Sequence, residues 1–248
     1  MKKESPFLKF YGLHASLALF KARKNAIERV YCLEDKVPFL KELLKWCATA
    51  KIPYHIVKED DLSKLTESTH HEGVCVVAAP HPDYTLNDLL ADYQHKRKGL
   101  VIFLNQVENP HNLGAIVRTC AHFGVTHIIT DASIRYSPAC CRIAQGGVES
   151  VHLIHIKNVE EAFFKLKAAG FDLLGTSSHQ GKPLRTHQFC QKTLFVMGSE
   201  SKGIDETVAK QLMHYIKIEG SDAVESLNVS NAAALCCYGY YCQHGLSS

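Results

Sequence analysis

The sequence predicts an α/β protein of two domains: a small α/β domain over residues 1–80, a linker over 81–98, and over 99–248 a larger domain built on a parallel sheet. Three observations predict it. Short apolar runs alternate with segments of helical periodicity, the pattern of strands covered by helices on both faces. The alternation is interrupted at Pro80-His81-Pro82-Asp83 and at the polar, basic run Gln94 to Lys98. A chain of 248 residues, 46% of them hydrophobic, can bury a real core, and it has no repeats, low-complexity runs or long Pro/Ser-rich linkers.

Each element is legible in turn. Leu13, Leu17 and Phe20 recur at helical spacing, and Val30 to Leu33 reads as a strand. Phe39, Leu43, Leu44 and Cys47 mark a second helix, Tyr54 to Val57 a second strand and Val74 to Ala79 a third. A three-layer arrangement buries these faces. After the linker, which has room for a connecting helix, candidate strands are 100–104, 126–130, 152–156, 171–175, 193–197 and 215–218. Helices fall near 112–123, 158–169 and 228–242. In such sheets ligands bind where loops leave the carboxyl ends of the strands.

Composition excludes several classes. The longest apolar stretches are strand-sized and well short of a membrane span, and the N-terminus carries Lys2, Lys3 and Glu4 with no apolar signal core, so a cytoplasmic protein is expected. The ten cysteines include no C-x-x-C; Cys75, Cys120 and Cys190 lie in apolar segments and read as buried, reduced thiols. His70-His71-Glu72 is not H-E-x-x-H, and no Cys/His quartet has zinc spacing, so no metal is expected. The net charge of +3 lies wholly within residues 1–98, a slight indication of an RNA-facing first domain, although such a surplus is also an ordinary solvated surface.

Three motifs carry chemistry. Asn109-Pro110-His111-Asn112-Leu113-Gly114 follows a strand and opens a helix that Asn112 is placed to cap. Farther along, Arg118 lies among Ile116, Val117, Cys120 and Ala121, where a guanidinium needs an anion; an RNA phosphate suits its fork, and a local Glu would serve structurally. The second motif is Gly198-Ser199-Glu200-Ser201-Lys202-Gly203. It is not a P-loop, because Ile204-Asp205 stands where Lys-Ser/Thr is required, and the chain has no G-x-G-x-x-G. Glycine here lets backbone come close to a ligand, and Glu200 either accepts from a ribose or faces solvent. The third runs from Ile218-Glu219-Gly220 to Ser226-Leu227-Asn228-Val229-Ser230, with Asn228 or Ser230 a candidate N-cap before the small residues Ala232 to Ala234.

In this order and spacing the motifs resemble those of the SpoU/TrmH family of RNA ribose methyltransferases: N-x-x-N-x-G-x-x-x-R-T, G-x-E-x-x-G and a loop ending S-L-N-V-S. The resemblance runs from about Gly99 to His244, while Tyr11-Gly12-Leu13-His14-Ala15 and His71-Glu72-Gly73-Val74 resemble the ribosomal-protein-like substrate-binding domain of many members. It implies S-adenosylmethionine-dependent methylation of a ribose 2′-hydroxyl in rRNA or tRNA, without a metal. It also implies a deep trefoil knot, a homodimer with sites close to the subunit interface, and no DNA or membrane partner. Carried over, cofactor contacts fall at Thr176, Gly198, Ile218 and Leu227. Arg118 matches the arginine held to activate the hydroxyl, with Asn112, Glu200, Ser226 and Asn228 as its polar shell. Glu219 departs from the usual proline, Cys120 from alanine, and Asn105-Gln106 from Leu-Asp. Since arginine is a poor base at neutral pH, Arg118 either is deprotonated with the help of substrate phosphate or stays charged and stabilises the alkoxide. The alternative is an RNA-binding assembly protein that keeps the fold without turnover.

Overall fold

The computed structural model describes residues 7–221 and 223–245. The chain divides into two compact units, one comprising residues up to 82 together with 136–150, the other 83–135 together with 151 onward.

The first unit contains β1 (Leu8–Tyr11), α1 (Leu13–Arg23), β2 (Ile27–Cys32), α2 (Lys41–Ala50), β3 (Tyr54–Ile56), α3 (Glu59–Thr66) and β4 (Val74–Ala78). Its sheet runs β1-β4-β2-β3, with β4 antiparallel to β1 and β2, and β3 parallel to β2. Phe10, Val30, Cys32, Val74 and Val76 are buried, as are Leu19, Leu43, Cys47 and Leu62 from the helices. Phe39, expected in the second helix, instead ends a 3-10 turn containing Pro38 and is 63% exposed. A proline there cannot supply an interior helical N–H, so the α-helix starts only at Lys41.

A segment from the middle of the chain completes this unit. Ser137 caps α6 (Pro138–Ile143) by accepting from the Cys140 amide at 3.2 Å, and Cys140, Cys141 and Val148 are buried. Gly146, at φ 91°, approaches α1 so closely that a Cβ would lie 2.4 Å from that of Ala18. The Glu149 carboxylate, nearly sequestered, accepts from Arg23 Nε at 2.7 Å and lies 3.3 Å from His81 Nε2. Burial alone would raise this carboxyl; the hydrogen bonds of His81 and Arg23 outweigh burial and hold it below the ordinary glutamate value.

The second unit contains α4 (Leu86–Tyr93), β5 (Gly99–Asn105), α5 (Pro110–His122), β6 (His127–Thr130), β7 (His152–His155), α7 (Val159–Ala168), β8 (Asp172–Ser177), β9 (Lys182–Pro183), β10 (Lys192–Gly198), α8 (Glu206–Ala209), β11 (His214–Lys217) and α9 (Val229–His244). Its sheet runs β7-β6-β5-β10-β8-β11-β9, every pairing parallel. The connecting helix of the interrupted stretch is α4, opened by a reciprocal Thr85–Asp88 capping box, with Leu89 and Tyr93 packed into the core of this unit. Val101 and Phe103 face that core with α7 residues Phe163 and Leu166. By the alternation of a strand, Leu100, Ile102 and Leu104 face the opposite layer, where α5 packs on α9. β10 lies between β5 and β8 although neither is its neighbour in sequence; the chain then passes to β11 beyond β8 and returns to lay α9 against α5 and β10. Among the described residues no helix is long and apolar enough to cross a membrane. Cys190 is exposed, contrary to the expected buried thiol, because it lies before β10 rather than within it.

Candidate active site

The carboxyl ends of β8, β10 and β11 feed three loops that enclose a cavity of about 540 Å³. Thr176, Gly198, Ile218 and Leu227 all line it, together with Glu200 and Ser226.

Each wall has a local cause. The Thr176 hydroxyl donates to the Val196 carbonyl at 3.1 Å, tying β8 to β10 at the rim. After Gly198 the chain folds back on itself: the Gly203 amide donates to the Ser199 carbonyl at 2.9 Å. A Cβ on Gly198 would lie 2.0 Å from the Gly203 carbonyl carbon and 2.3 Å from the Ile204 nitrogen. A side chain at this position would therefore meet the loop's own backbone first, while Gly198 itself remains on the cavity wall. The Glu219 carboxylate accepts from Arg185 Nε at 2.7 Å, so the residue in place of proline has an ion-pair partner.

The three motifs meet at Asn228. Its Oδ1 accepts from the Ser230 amide at 2.8 Å and so caps α9, and its amide nitrogen donates to Asn112 Oδ1 at 3.0 Å and to Glu200 Oε1. One side chain thus joins α5, the loop after β10 and the start of α9. Asn112 does not cap α5; Asn109 does, accepting from the His111 amide at 2.9 Å with Pro110 as the first helical residue, which leaves Asn112 buried one turn in and free to receive Asn228. Glu200, with one oxygen held by Asn228, is not simply a solvent-facing turn residue.

Arg118 stands apart. It is exposed on α5, it does not line the cavity, and among the described residues it has no hydrogen bond or ion pair, so the local structural glutamate is absent. Its guanidinium is available to an external anion.

Sequence reasoning missed a second polar knot beside the cavity. The buried Asn105, last residue of β5, donates to Asp131 Oδ2 at 2.6 Å and accepts from the Asp205 amide at 2.6 Å. Gln106, at φ 53°, donates its own amide to Asp131 Oδ1 at 2.8 Å. The Asp205 carboxylate accepts from the hydroxyl and amide of Thr207, which lower it below the usual aspartate value. The legible signal was a polar residue ending an otherwise apolar strand; its partners, 26 and 100 residues away, were not.

A model described as the SpoU rRNA methylase family matches residues 99–238, and one described as RNA 2′-O ribose methyltransferase substrate binding matches residues 10–84. The chain is 35% identical over 226 residues to an uncharacterised tRNA/rRNA methyltransferase of Escherichia coli O157:H7, covering 91% of this chain and 65% of that one. The chain therefore spans just under two thirds of that relative's length. It is 30% identical over 234 residues to a 23S rRNA (guanosine-2′-O-)-methyltransferase of Acinetobacter baylyi, covering 92% and 94% respectively. A SpoU methyltransferase of Streptomyces viridochromogenes, solved in complex with the cofactor AdoMet, superposes with a TM-score of 0.77 at 20% identity over 96% of this chain and 90% of its own.

Proposed function

Since this chain belongs to the SpoU rRNA methylase family, we propose that it transfers the methyl group of S-adenosylmethionine to a ribose 2′-hydroxyl of rRNA or tRNA. The observation that carries the reading is the junction at Asn228, which holds Asn112 and Glu200 together beside a cavity lined by all four expected cofactor residues.

The residues fit the cofactor. A volume of about 540 Å³ is in the usual range for a small-molecule site. Its walls offer backbone at Gly198, Ile218 and Leu227 for the adenosine and the carboxylate of Glu200 toward a cation. When bound, the cofactor supplies a methyl group already activated by a positively charged sulfur. The protein's task is alignment and charge. Asn228 fixes one oxygen of Glu200 and leaves the other to accept from a ribose hydroxyl. Ser226 stands on the same wall, and Arg118, unpaired and outside that wall, takes up a substrate phosphate.

The wider reading is a division of labour in a homodimer acting in the cytoplasm, with RNA selected by the first unit. Lys and Arg number 14 against 11 Asp and Glu in that unit, and 14 against 14 in the other.

Calorimetric titration of S-adenosylmethionine against NAD and ATP tests the cofactor, and mass-spectrometric mapping of ribose methylation in rRNA and tRNA from a deletion strain tests the reaction. Arg118→Ala is expected to lower turnover by about 100-fold or more while cofactor affinity stays within a few-fold. Near-normal turnover in that variant removes Arg118 from the chemistry.

A further inference from the structure

The second unit has another cavity, at the opposite end of the same sheet. It measures about 600 Å³ and is lined by Gly99, where β5 begins, Thr126, just before β6, and Gln191, just before β10. Because all these strands are parallel, this is the amino end, about 23 Å along a seven-residue strand from the carboxyl end where the first cavity lies. Lys96, Arg97 and Lys98 supply three consecutive cations to its wall, and among the described residues no acidic side chain lines it. We propose that this cavity and its basic rim hold backbone phosphates of a bound RNA strand.

The acids of the preceding helix leave Arg97 unopposed, while Asp92 shares the field of Lys96. Asp88 is engaged with Thr85 in the capping box, and the Asp92 carboxylate accepts from Tyr84 Oη at 2.5 Å and lies 3.1 Å from His127 Nε2. Lys98 is committed to the fold, donating to the His244 carbonyl near the end of α9 at 2.7 Å. Lys96 lies over the Tyr93 ring, 5.0 Å from its centre, which leaves its ammonium protons free for an anion. Arg97 is exposed and makes no hydrogen bond or ion pair among the described residues. The Tyr93 and Tyr240 rings are 4% and 0% exposed, so the cavity offers no open platform for stacking a base. Cations without a stacking surface or carboxylate acceptors recognise phosphate and leave sequence unread. Lys96 and Arg97 are exposed neighbours on one rim, which suits the phosphates of a strand passing over it.

Only the identity of the strand rests on the methyltransferase reading. The test uses the full chain, bulk tRNA and a mixed-sequence single-stranded RNA, with Lys96→Ala/Arg97→Ala beside the parent. Loss of two phosphate contacts is expected to make the slope of log affinity against log salt shallower by about 1.4 and to weaken binding several-fold at low salt, equally on both RNAs. S-adenosylmethionine affinity and melting temperature should be unchanged. The Lys96→Arg/Arg97→Lys exchange, which keeps both charges, should restore the slope. An unchanged slope in the alanine variant overturns the proposal, as does displacement of RNA by micromolar ATP from the parent but not the variant, which places a nucleotide there. If the double variant melts early, Arg97→Ala alone decides, with an expected slope change of about 0.7, because that side chain has no partner to lose. A protein that shows the slope change yet methylates no RNA keeps this site and loses the proposed reaction; one that methylates RNA with an unchanged slope does the reverse.

Discussion

Gly198 was singled out from sequence for the absence of a side chain beside a ligand, and the fold adds a nearer constraint within the chain itself. Sequence shows that a glycine is needed; only three dimensions show that the nearest atoms are those of Gly203 and Ile204. Gly198→Val is accordingly expected to lower the melting temperature of the cofactor-free protein, at about 1–3 kcal/mol of overpacking, and to weaken S-adenosylmethionine binding because the loop must shift. A purely steric block would leave the cofactor-free melting temperature untouched, so calorimetry with and without cofactor separates the two. His127 shows another limit of the sequence. Its imidazole is 1% exposed, with Nδ1 2.8 Å from Thr126 Oγ1 and Nε2 3.1 Å from Asp92. A neutral ring with its proton on Nε2 satisfies both contacts. Burial, helped by the facing His152 and Lys96, outweighs Asp92 and pushes this ring from 6.5 to about 4. The folded state therefore binds this proton less readily than the unfolded state. Stability from this group is fully present above pH 6.5 and is lost as the pH falls toward 4, by on the order of 3 kcal/mol at most. His127→Gln is expected to flatten that part of the stability–pH curve measured by urea unfolding.

At the level of elements, the strands of the second sheet were legible because their apolar runs are continuous and bounded by polar or glycine residues. Six sequence-level strands coincide with β5, β6, β7, β8, β10 and β11 to within about two residues at each end. What was illegible is that β10 inserts between β5 and β8, since strand order depends on packing partners and leaves no periodicity in the chain. α6 was also missed: six residues are too few for a periodic pattern, and its Ser137-Pro138 start is the only signal. On α9, Leu235, Tyr238 and Tyr241 are 41%, 56% and 45% exposed and share one helical face, with Phe123 of the neighbouring α5 terminus beside Tyr238 and Tyr241. A second copy of the chain is the proposed cover for that stripe. Leu235→Lys/Tyr238→Lys is expected to give monomers in analytical ultracentrifugation at micromolar concentration, where the parent sediments as a dimer. A parent that is itself monomeric removes the homodimer from the proposed function.

For the whole molecule, the boundary suggested by Pro80–Asp83 falls where the first stretch of unit one ends, yet nothing in the sequence marks residues 136–150 as belonging with it. Those residues carry a glycine pair, buried cysteines and one carboxylate, all equally at home in either unit; their place is fixed by Ala18 and Arg23, more than a hundred residues earlier. A fragment of residues 83–248 would keep α4, the sheet and the candidate active site but would present Cys140, Cys141 and Val148 without α1 and β1 to cover them. It is expected to bind S-adenosylmethionine, to bind RNA more weakly with a shallower salt slope, and to bind a hydrophobic dye that the full chain ignores. A clean, dye-negative fragment would show that residues 136–150 fold without the first unit.

That excursion also governs synthesis and inheritance. A nascent chain that has reached residue 82 holds only part of its first unit and must wait for nearly seventy more residues before Glu149 can meet Arg23. At elongation speeds of about 5–20 residues per second that is several seconds with α1 lacking its permanent cover, a window in which a chaperone would find its client. Recombination meets the same obstacle: joining another partner at residue 82 would export an unfinished fold. A lineage can therefore trade this first unit for a different one only by replacing two separated stretches of the gene together.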